Sequence, residues 1–271
     1  MKRKLANLTA VSLAVFILFG LSGASGAVSA AAGMKKLTPY QLTAEDMTGG
    51  VAMSDYSNTA TVRVSQLEQK AYSWGKTSDW ALSELLISDA LDLYPSKLYD
   101  ADLTKPVTRA EFAAVAVKLY EAMSGKSARP APQDTFGDTK DEDVLKAYAL
   151  DIVIGTGGGG FSPGDFLTRE QAAVILIRVY KKVYWDGWTL ADDKNYRTYA
   201  LRVQGTKFAD DGDISAYAKE AVYVMAGAGI LKGTGGKFLP EEAASREQAV
   251  IMSKRTYENN ANLWKDWTII N

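Results

Sequence analysis

A short motif that begins a helix occurs three times in this chain. It reads Thr-Arg-Ala-Glu at residues 108–111, Thr-Arg-Glu-Gln at 168–171 and Ser-Arg-Glu-Gln at 245–248. A hydroxyl residue followed three positions later by Glu or Gln is a capping box, and an apolar run follows each copy. The three copies therefore predict three helices that start in the same way, and they favour an all-α fold built from repeats.

Capping does not account for the arginine in the second position of each copy: Arg109, Arg169 and Arg246. A cation in the first turn lies against the partial positive charge of the helix N-terminus, which costs from a few tenths to about 1 kcal/mol. Because free helix amides and a guanidinium group together bind a carboxylate or phosphate, the tripled arginine predicts a site for an external anion. The alternative is a structural ion pair with a neighbouring repeat.

The motif belongs to a longer repeat. Phe-Gly-Asp at 136–138 returns as Phe-Ala-Asp at 208–210, and a glycine loop that starts at Gly155 returns at Gly233. One helix pair cannot bury its own apolar stripe, whereas three together can, so we expect three helix-loop-helix units packed against one another. The predicted organisation is a signal peptide at 1–30, an N-terminal extension at 31–79, repeats at 80–125, 136–181 and 208–258, an aromatic insertion at 182–207 and a C-terminal tail at 259–271.

Superposing the units by sequence aligns one residue at the end of each first helix. The aligned residues are Asp92, Asp151 and Gly229. Glycine adopts a left-handed backbone freely and aspartate tolerates it, so this position is predicted to be left-handed in all three units.

The first thirty residues are predicted to be a secretory signal peptide. A basic start at residues 2–4 precedes an apolar run at 11–21 and a small-residue stretch at 27–30, which is the order of a cleavable signal. The apolar run is about half the roughly 20 residues that span a bilayer, so we expect cleavage after Ala30, with Ala32 as the alternative. No membrane span is then expected in the exported chain.

Composition excludes several kinds of site. The chain has no histidine and no cysteine, which excludes Ser-His-Asp and Cys-His catalysis, the common zinc sites and disulfides. The signal peptide holds three of the 31 basic residues and none of the 32 acidic ones, so the mature chain has a net charge of −4. A nucleic-acid binder would need a strongly basic face. We therefore expect no nucleic-acid partner, no cofactor and no metal.

The repeated motifs resemble S-layer homology repeats over roughly residues 80–258. Members of that family fold as three repeats in a pseudo-threefold bundle, and the resemblance implies this architecture here. The matching residues are 80–81 and 106–112 in the first unit, 136–138, 161–163 and 167–170 in the second, and 208–210, 229–230, 233 and 245–247 in the third.

In that family the grooves between repeats bind a secondary cell-wall polysaccharide through a pyruvylated amino sugar. The resemblance therefore implies a secreted, non-catalytic chain held non-covalently at the cell wall, with other surface-layer proteins as further candidate partners. The implied site consists of Arg109, Arg169 and Arg246 as anion contacts, Glu111, Gln171 and Gln248 at the caps, Trp80 and Tyr217 as sugar-stacking or rim residues, and the glycine loops at Gly155 and Gly233.

Two other functions remain open on the sequence. A glycan-processing enzyme could use paired carboxylates and needs no histidine, and new reducing ends on wall polysaccharide would reveal it. A structural protein would associate with itself into a lattice, and sedimentation in the absence of polysaccharide would reveal that. The tripled arginine without a separate catalytic domain favours the binding module.

Overall fold

The described part of the chain consists of helices joined by turns. The computed structural model describes residues 75–194 and 207–263, and these contain isolated bridges but no β-strand, so the predicted all-α class is confirmed. The predicted signal peptide, most of the N-terminal extension, part of the aromatic insertion and the end of the C-terminal tail lie outside these residues. The helices are α1 (Asp79–Ala90), α2 (Arg109–Ser124), α3 (Glu142–Ala149), α4 (Arg169–Tyr184), α5 (Leu190–Lys194), α6 (Lys219–Gly227) and α7 (Arg246–Leu263), with 3-10 turns at Ser96–Leu98 and Asp211–Asp213.

Six of the helices follow one another along the chain as three consecutive pairs that correspond to the predicted repeats. We call α1 with α2 unit 1, α3 with α4 unit 2, and α6 with α7 unit 3. The larger of two hydrophobic clusters contains buried residues from all three units, among them Phe112, Leu176 and Val222. The smaller cluster packs α1 against α2 and α7 through Leu85, Val115 and Ile251. The units are therefore buried against one another, as expected for repeats that cannot bury an apolar stripe alone.

The second helix of each unit starts as the capping boxes predict. Thr108 Oγ1 accepts a hydrogen bond from the Glu111 amide at 3.2 Å, and the Glu111 carboxylate accepts one from the Thr108 amide at 2.9 Å. Such a cap stabilises a helix by about 0.5–2 kcal/mol, and it fixes the arginine as the first helical residue. The same pair of bonds joins Thr168 to Gln171 and Ser245 to Gln248.

A closed ring of backbone hydrogen bonds joins the three units. The Val107 amide donates to the Ala244 carbonyl at 2.8 Å, the Ala244 amide to the Leu167 carbonyl at 3.0 Å, and the Leu167 amide to the Val107 carbonyl at 3.0 Å. These three residues are buried and immediately precede the caps. Because each donates to one neighbour and accepts from the other, the three motifs occupy equivalent positions around the ring.

Each first helix is followed, two residues after its last helical residue, by a residue with positive φ. The values are 55° at Asp92, 61° at Asp151 and 75° at Gly229, so the predicted left-handed position is confirmed. A left-handed residue lets the chain turn sharply after a helix while its amide and the next one still bond to helix carbonyls. It directs each unit into the loop that leads to its cap.

The aromatic stretch after unit 2 is in part a continuation of that unit. Helix α4 runs to Tyr184, beyond the predicted repeat end at residue 181. Trp185 and Trp188 are buried in the same core, and the Trp188 carbonyl accepts a hydrogen bond from Lys182 Nζ at 3.3 Å. The beginning of the predicted insertion is therefore packed structure, because two indole rings bury large apolar surfaces.

None of the helices in the described ranges is both long and apolar enough to cross a membrane.

Candidate functional site

The helix N-termini that carry the arginines offer no free amides. The Arg109 amide donates to the Asp165 carbonyl at 2.8 Å and the Ala110 amide to the Pro163 carbonyl at 3.1 Å, while the third amide is capped by Thr108. The expectation of free helix amides for an anion is therefore wrong, because loop carbonyls of the next unit fill those positions. At the second motif, the Arg169 and Glu170 amides donate to the Glu242 and Pro240 carbonyls, respectively. At the third motif, the Arg246 and Glu247 amides donate to the Lys105 and Leu103 carbonyls.

The side chains of Arg109 and Arg169 each donate two hydrogen bonds to carbonyls of the next unit. Arg109 Nε donates to the Phe161 carbonyl at 2.9 Å and Arg109 Nη2 to the Ile154 carbonyl at 2.9 Å. The guanidinium carbon lies 4.6 Å from the centre of the Phe161 ring. Arg169 repeats these contacts with the Phe238 carbonyl at 2.9 Å and the Lys232 carbonyl at 3.0 Å.

Arg109 and Arg169 have no ion-pair partner among the described residues. Burial lowers the pKa of the Arg109 guanidinium, while the carboxylates of Asp165 and Asp138 act in the opposite direction from a distance. Burial likewise lowers the pKa of Arg169, against Glu242 and Asp210. Both side chains stay charged at neutral pH because arginine titrates far above it. Each is thus a partly desolvated cation that an incoming carboxylate would stabilise.

Arg246 makes a different set of contacts. It forms an ion pair with Glu111 of unit 1, with Nη2 2.8 Å from Oε1 and Nε 3.0 Å from both carboxylate oxygens. Arg246 Nη1 donates to the Asp102 carbonyl at 3.1 Å. The sequence left an external anion and a structural ion pair open for the arginines, and the structure shows the ion pair at Arg246.

A cavity of about 290 Å³ lies beside Arg109. Arg109 comes from unit 1, and helix α4 of unit 2 supplies most of one wall. We call this cavity the Arg109 groove; it is lined by Arg109, Val153, Ile154, Phe161, Leu167, Gln171, Val174, Ile175, Arg178 and Tyr217. The groove thus combines cations, apolar walls and one aromatic side chain.

The two aromatic residues predicted for sugar contact occupy equivalent and exposed positions. Tyr217 is 56% exposed and Trp80 is 55% exposed. Tyr217 lines the Arg109 groove, and its hydroxyl donates to Glu170 Oε1 at 2.8 Å. Burial, and then this hydrogen bond, raise the pKa of Tyr217 to about 12, so the hydroxyl remains a donor.

The three predicted cap residues differ in what they leave for a ligand. In two caps, the side-chain oxygen of the glutamine accepts a hydrogen bond from the backbone amide of the cap residue. These bonds join Thr168 to Gln171 and Ser245 to Gln248, each at 3.1 Å. An amide has only one oxygen, so its NH₂ group is the end that remains. Glu111 instead has a second carboxylate oxygen, which contacts Arg246.

A buried glutamate that sequence reasoning missed ties unit 2 to unit 3. Glu170 accepts hydrogen bonds from the Ser215 amide at 2.9 Å, the Ser215 hydroxyl at 2.8 Å and the Tyr217 hydroxyl at 2.8 Å. Glu247 does the same between units 3 and 1, accepting from the Ser78 amide at 3.0 Å and hydroxyl at 2.9 Å. The signal was the glutamate directly after the arginine in two of the three motifs.

The loop glycines Gly155 and Gly233 have a packing reason to be glycine. A Cβ atom on Gly155 would lie 2.8 Å from the Gly160 carbonyl oxygen, and one on Gly233 would lie 2.4 Å from the Lys237 carbonyl oxygen. Neither residue is among those that line the Arg109 groove. Their side-chain-free backbone lets each loop fold back on itself.

Replacing Gly233 by alanine is expected to lower the free energy of unfolding by about 1–3 kcal/mol, because backbone must move to relieve the contact with Lys237. Denaturation with guanidinium would measure the loss. Gly212→Ala is the matched control, since a Cβ there meets no atom within 4 Å and the residue has no positive φ. Equal stability of the two variants would contradict the packing role.

No group of three or more acidic residues in the described ranges is arranged to hold a metal ion. The acidic run at 138–143 instead supplies caps. Asp141 caps α3 by accepting the Asp143 amide at 3.0 Å, and Asp138 accepts the Phe161 amide at 2.8 Å to close the glycine loop.

Comparison with known proteins identifies part of this architecture. The S-layer homology domain model matches residues 134–173 and 207–250, which include unit 2 and unit 3 motifs. The match does not extend to residues 80–125, although the backbone ring places the unit 1 motif equivalently.

Several curated proteins are similar to more than half of this chain. Exoglucanase XynX of Acetivibrio thermocellus is 31% identical over 170 residues, which is 59% of this chain and 14% of that protein. The amylopullulanase of Thermoanaerobacterium thermosulfurigenes is 28% identical over 160 residues, 59% of this chain and 8% of that protein. The S-layer protein sap of Bacillus anthracis is 26% identical over 152 residues, 56% of this chain and 17% of that protein.

The chain therefore spans less than a fifth of the length of each of these three relatives. What they share with it is the repeat region, and their names denote different activities. Together, the matches to the domain model and to a surface-layer protein indicate association with the cell surface. Residues 134–173 and 207–250 thus match the S-layer homology domain model, in a chain whose three motifs are joined by a closed ring of backbone hydrogen bonds.

Proposed function

We propose that this chain attaches non-covalently to the cell wall by binding a pyruvylated wall polysaccharide in the Arg109 groove. The observation that carries the proposal is a partly buried arginine without a carboxylate partner among the described residues, at the edge of a cavity of about 290 Å³. A pyruvate ketal places a carboxylate on a sugar ring. Arginine and carboxylate form short, charge-assisted hydrogen bonds that are stronger than neutral ones.

The donors available in the groove suit a carboxylate. Arg109 uses Nε and Nη2 on carbonyls, and its Nη1 group has no hydrogen bond to a described residue. Gln171 uses its oxygen in the cap, so its NH₂ group is a second donor at the same cavity. A carboxylate bound there would receive donors from two neighbouring units.

The walls suit the less polar faces of a sugar. Val174 and Ile175 of α4 are buried apolar residues that line the groove, and Ile154 is 46% exposed at its edge. Tyr217 presents an exposed ring whose hydroxyl is held by Glu170. Sites of this kind bury the apolar parts of a ligand and orient it with a few polar groups.

The comparisons favour attachment over catalysis. The matched region recurs in proteins named as an exoglucanase, an amylopullulanase and a surface-layer protein. A segment shared by proteins of such different names is explained most simply as the part that places them at the surface. Hydrolysis of a glycoside also requires two carboxyl groups at the scissile bond, and neither aspartate nor glutamate lines the Arg109 groove.

Co-sedimentation with purified cell walls tests the proposal. The folded chain is expected to pellet with native walls and to stay in the supernatant with walls stripped of pyruvyl groups, because the Arg109 groove then lacks its carboxylate. Walls stripped of phosphate are the control and should bind like native walls. Equal binding to native and pyruvyl-free walls would contradict pyruvate as the recognised group.

A further inference from the structure

The three arginine positions are not equivalent, although the ring relates them. We propose that Glu111 acts as an internal anion that blocks the Arg246 position, so that the chain has two sites for a glycan carboxylate, at Arg109 and Arg169, and not three. This inference rests on the function proposed above. It assigns a site number and a specificity-determining residue within that function.

The ion pair occupies the donors that a ligand would need. Arg246 Nη2 is 2.8 Å from Glu111 Oε1, and Nε is 3.0 Å from both carboxylate oxygens. The two side chains are only 19% and 15% exposed, so solvent screens the pair weakly. A ligand carboxylate would have to displace Glu111 and then lie beside a displaced, half-buried negative charge.

The loop of unit 1 explains why Arg246 turns to Glu111. Arg109 and Arg169 use the carbonyls of Ile154 and Lys232, which both stand three residues after the left-handed residue. The equivalent carbonyl in unit 1 belongs to Pro95, and it already accepts the Leu98 amide at 3.0 Å within the 3-10 turn. With that acceptor used, the carboxylate of Glu111 is the partner that unit 1 provides.

The third helical residue of the neighbouring unit determines whether each arginine faces a neutral amide or a carboxylate. The arginine of one unit faces the third helical residue of the next unit: Arg109 with Gln171 across the groove, and Arg246 with Glu111 in the ion pair. By the order of the units in the ring, the third helical residue that belongs with Arg169 of unit 2 is Gln248 of unit 3. After capping, glutamine still has its NH₂ group as a donor, whereas glutamate has a second acceptor oxygen. A ligand carboxylate therefore meets a further donor at a glutamine position and a competing carboxylate at the glutamate position.

The aromatic residue at the groove also separates the Arg246 position from the others. Tyr217 of unit 3 lines the groove of Arg109 of unit 1. By the order of the units in the ring, the exposed Trp80 of unit 1 belongs to the Arg169 position, and the equivalent residue of unit 2 at the Arg246 position is Thr139. The cation that corresponds to Arg178 does not separate the two remaining positions, because Lys118 is paired with Asp92 at 2.7 Å and Arg255 with Glu84 at 2.8 Å. The lack of an exposed aromatic ring makes the Arg246 position less suited to a sugar.

Exchange of the cap residues tests the proposal. The probe is a short glycoside that carries a pyruvate ketal on an amino sugar, titrated calorimetrically into the folded chain; the same glycoside without pyruvate is the control ligand. We expect two bound molecules for the unchanged chain. Glu111→Gln should keep the capping box, since glutamine serves in two units already, and it should add a third, weaker site.

Gln171→Glu is the reverse exchange, and its readout is a loss of binding instead of a gain. It places a carboxylate beside Arg109 and should reduce the bound molecules from two to one, with affinity at that position lowered at least about tenfold. Three molecules on the unchanged chain, or an unchanged number in both variants, would overturn the inference. Failure of the unchanged chain to bind the pyruvylated glycoside would instead overturn the proposed function.

Discussion

Replacing both Arg109 and Arg169 by glutamine is expected to lower the affinity for pyruvylated walls by at least about 100-fold. Loss of one partner from a desolvated charge pair at an interface costs about 2–5 kcal/mol, which corresponds to about 30-fold or more at each site. Glutamine keeps one amide donor for the carbonyls that each arginine now contacts, and it removes the charge. Binding isotherms on native walls would measure the effect.

The controls for this variant must separate binding from folding, because both arginines also join neighbouring units. Circular dichroism at the assay temperature should show the helical signal of the unchanged chain. Arg129→Gln is the matched charge control, since Arg129 is exposed and lies outside the groove. A folded double variant that binds as tightly as the Arg129 variant would rule out the arginines as the anion contacts.

Replacing Glu170 by alanine is expected to lower the free energy of unfolding by about 2–4 kcal/mol, because three donors lose a charged acceptor at once. The carboxylate is nearly inaccessible to solvent and accepts from the Ser215 amide, the Ser215 hydroxyl and the Tyr217 hydroxyl. Water can replace only part of these bonds. Urea denaturation followed by far-ultraviolet circular dichroism would measure the change.

Glu241→Ala is the matched comparison for Glu170. Glu241 is exposed, so its replacement should change stability by no more than about 0.5 kcal/mol. If the Glu170 variant is as stable as the Glu241 variant, the buried carboxylate does not hold units 2 and 3 together.

The helix starts were predictable because their determinants are local. A capping box uses a hydroxyl and a Glu or Gln three residues apart, and the structure has both bonds at Thr108, Thr168 and Ser245. The left-handed exits at Asp92, Asp151 and Gly229 were predictable for the same reason. Both features depend on a few neighbouring residues and on backbone preferences that act in any context.

The partners of the helix amides could not be predicted, because they come from distant parts of the chain. The Arg109 amide is bound by the Asp165 carbonyl and the Arg246 amide by the Lys105 carbonyl. Nothing in the local motif distinguishes an amide that waits for a ligand from one that a neighbouring loop fills. The interpretation of an anion site at free amides failed at this step, while the guanidinium part of the same interpretation stays a prediction at Arg109 and Arg169.

The difference among the arginines was visible in the sequence but could not be interpreted there. Glu111 stands where the other copies have Gln171 and Gln248, and both residue types satisfy a capping box equally well. Only the three-dimensional arrangement shows that this position faces the arginine of the preceding unit. A one-atom difference in the cap thus accompanies the difference between an arginine bonded to carbonyls and an arginine in an ion pair.

The ring of backbone hydrogen bonds has neither a first nor a last member. Unit 3 bonds back to unit 1 through Val107 and Ala244 and through ion pairs of Glu84 with Lys254 and Arg255. The polypeptide chain links unit 1 to unit 2 and unit 2 to unit 3, whereas non-covalent contacts alone join unit 3 to unit 1. The ring therefore does not dictate which unit comes first along the chain, and opening the chain between units 1 and 2 would leave its three backbone hydrogen bonds in place.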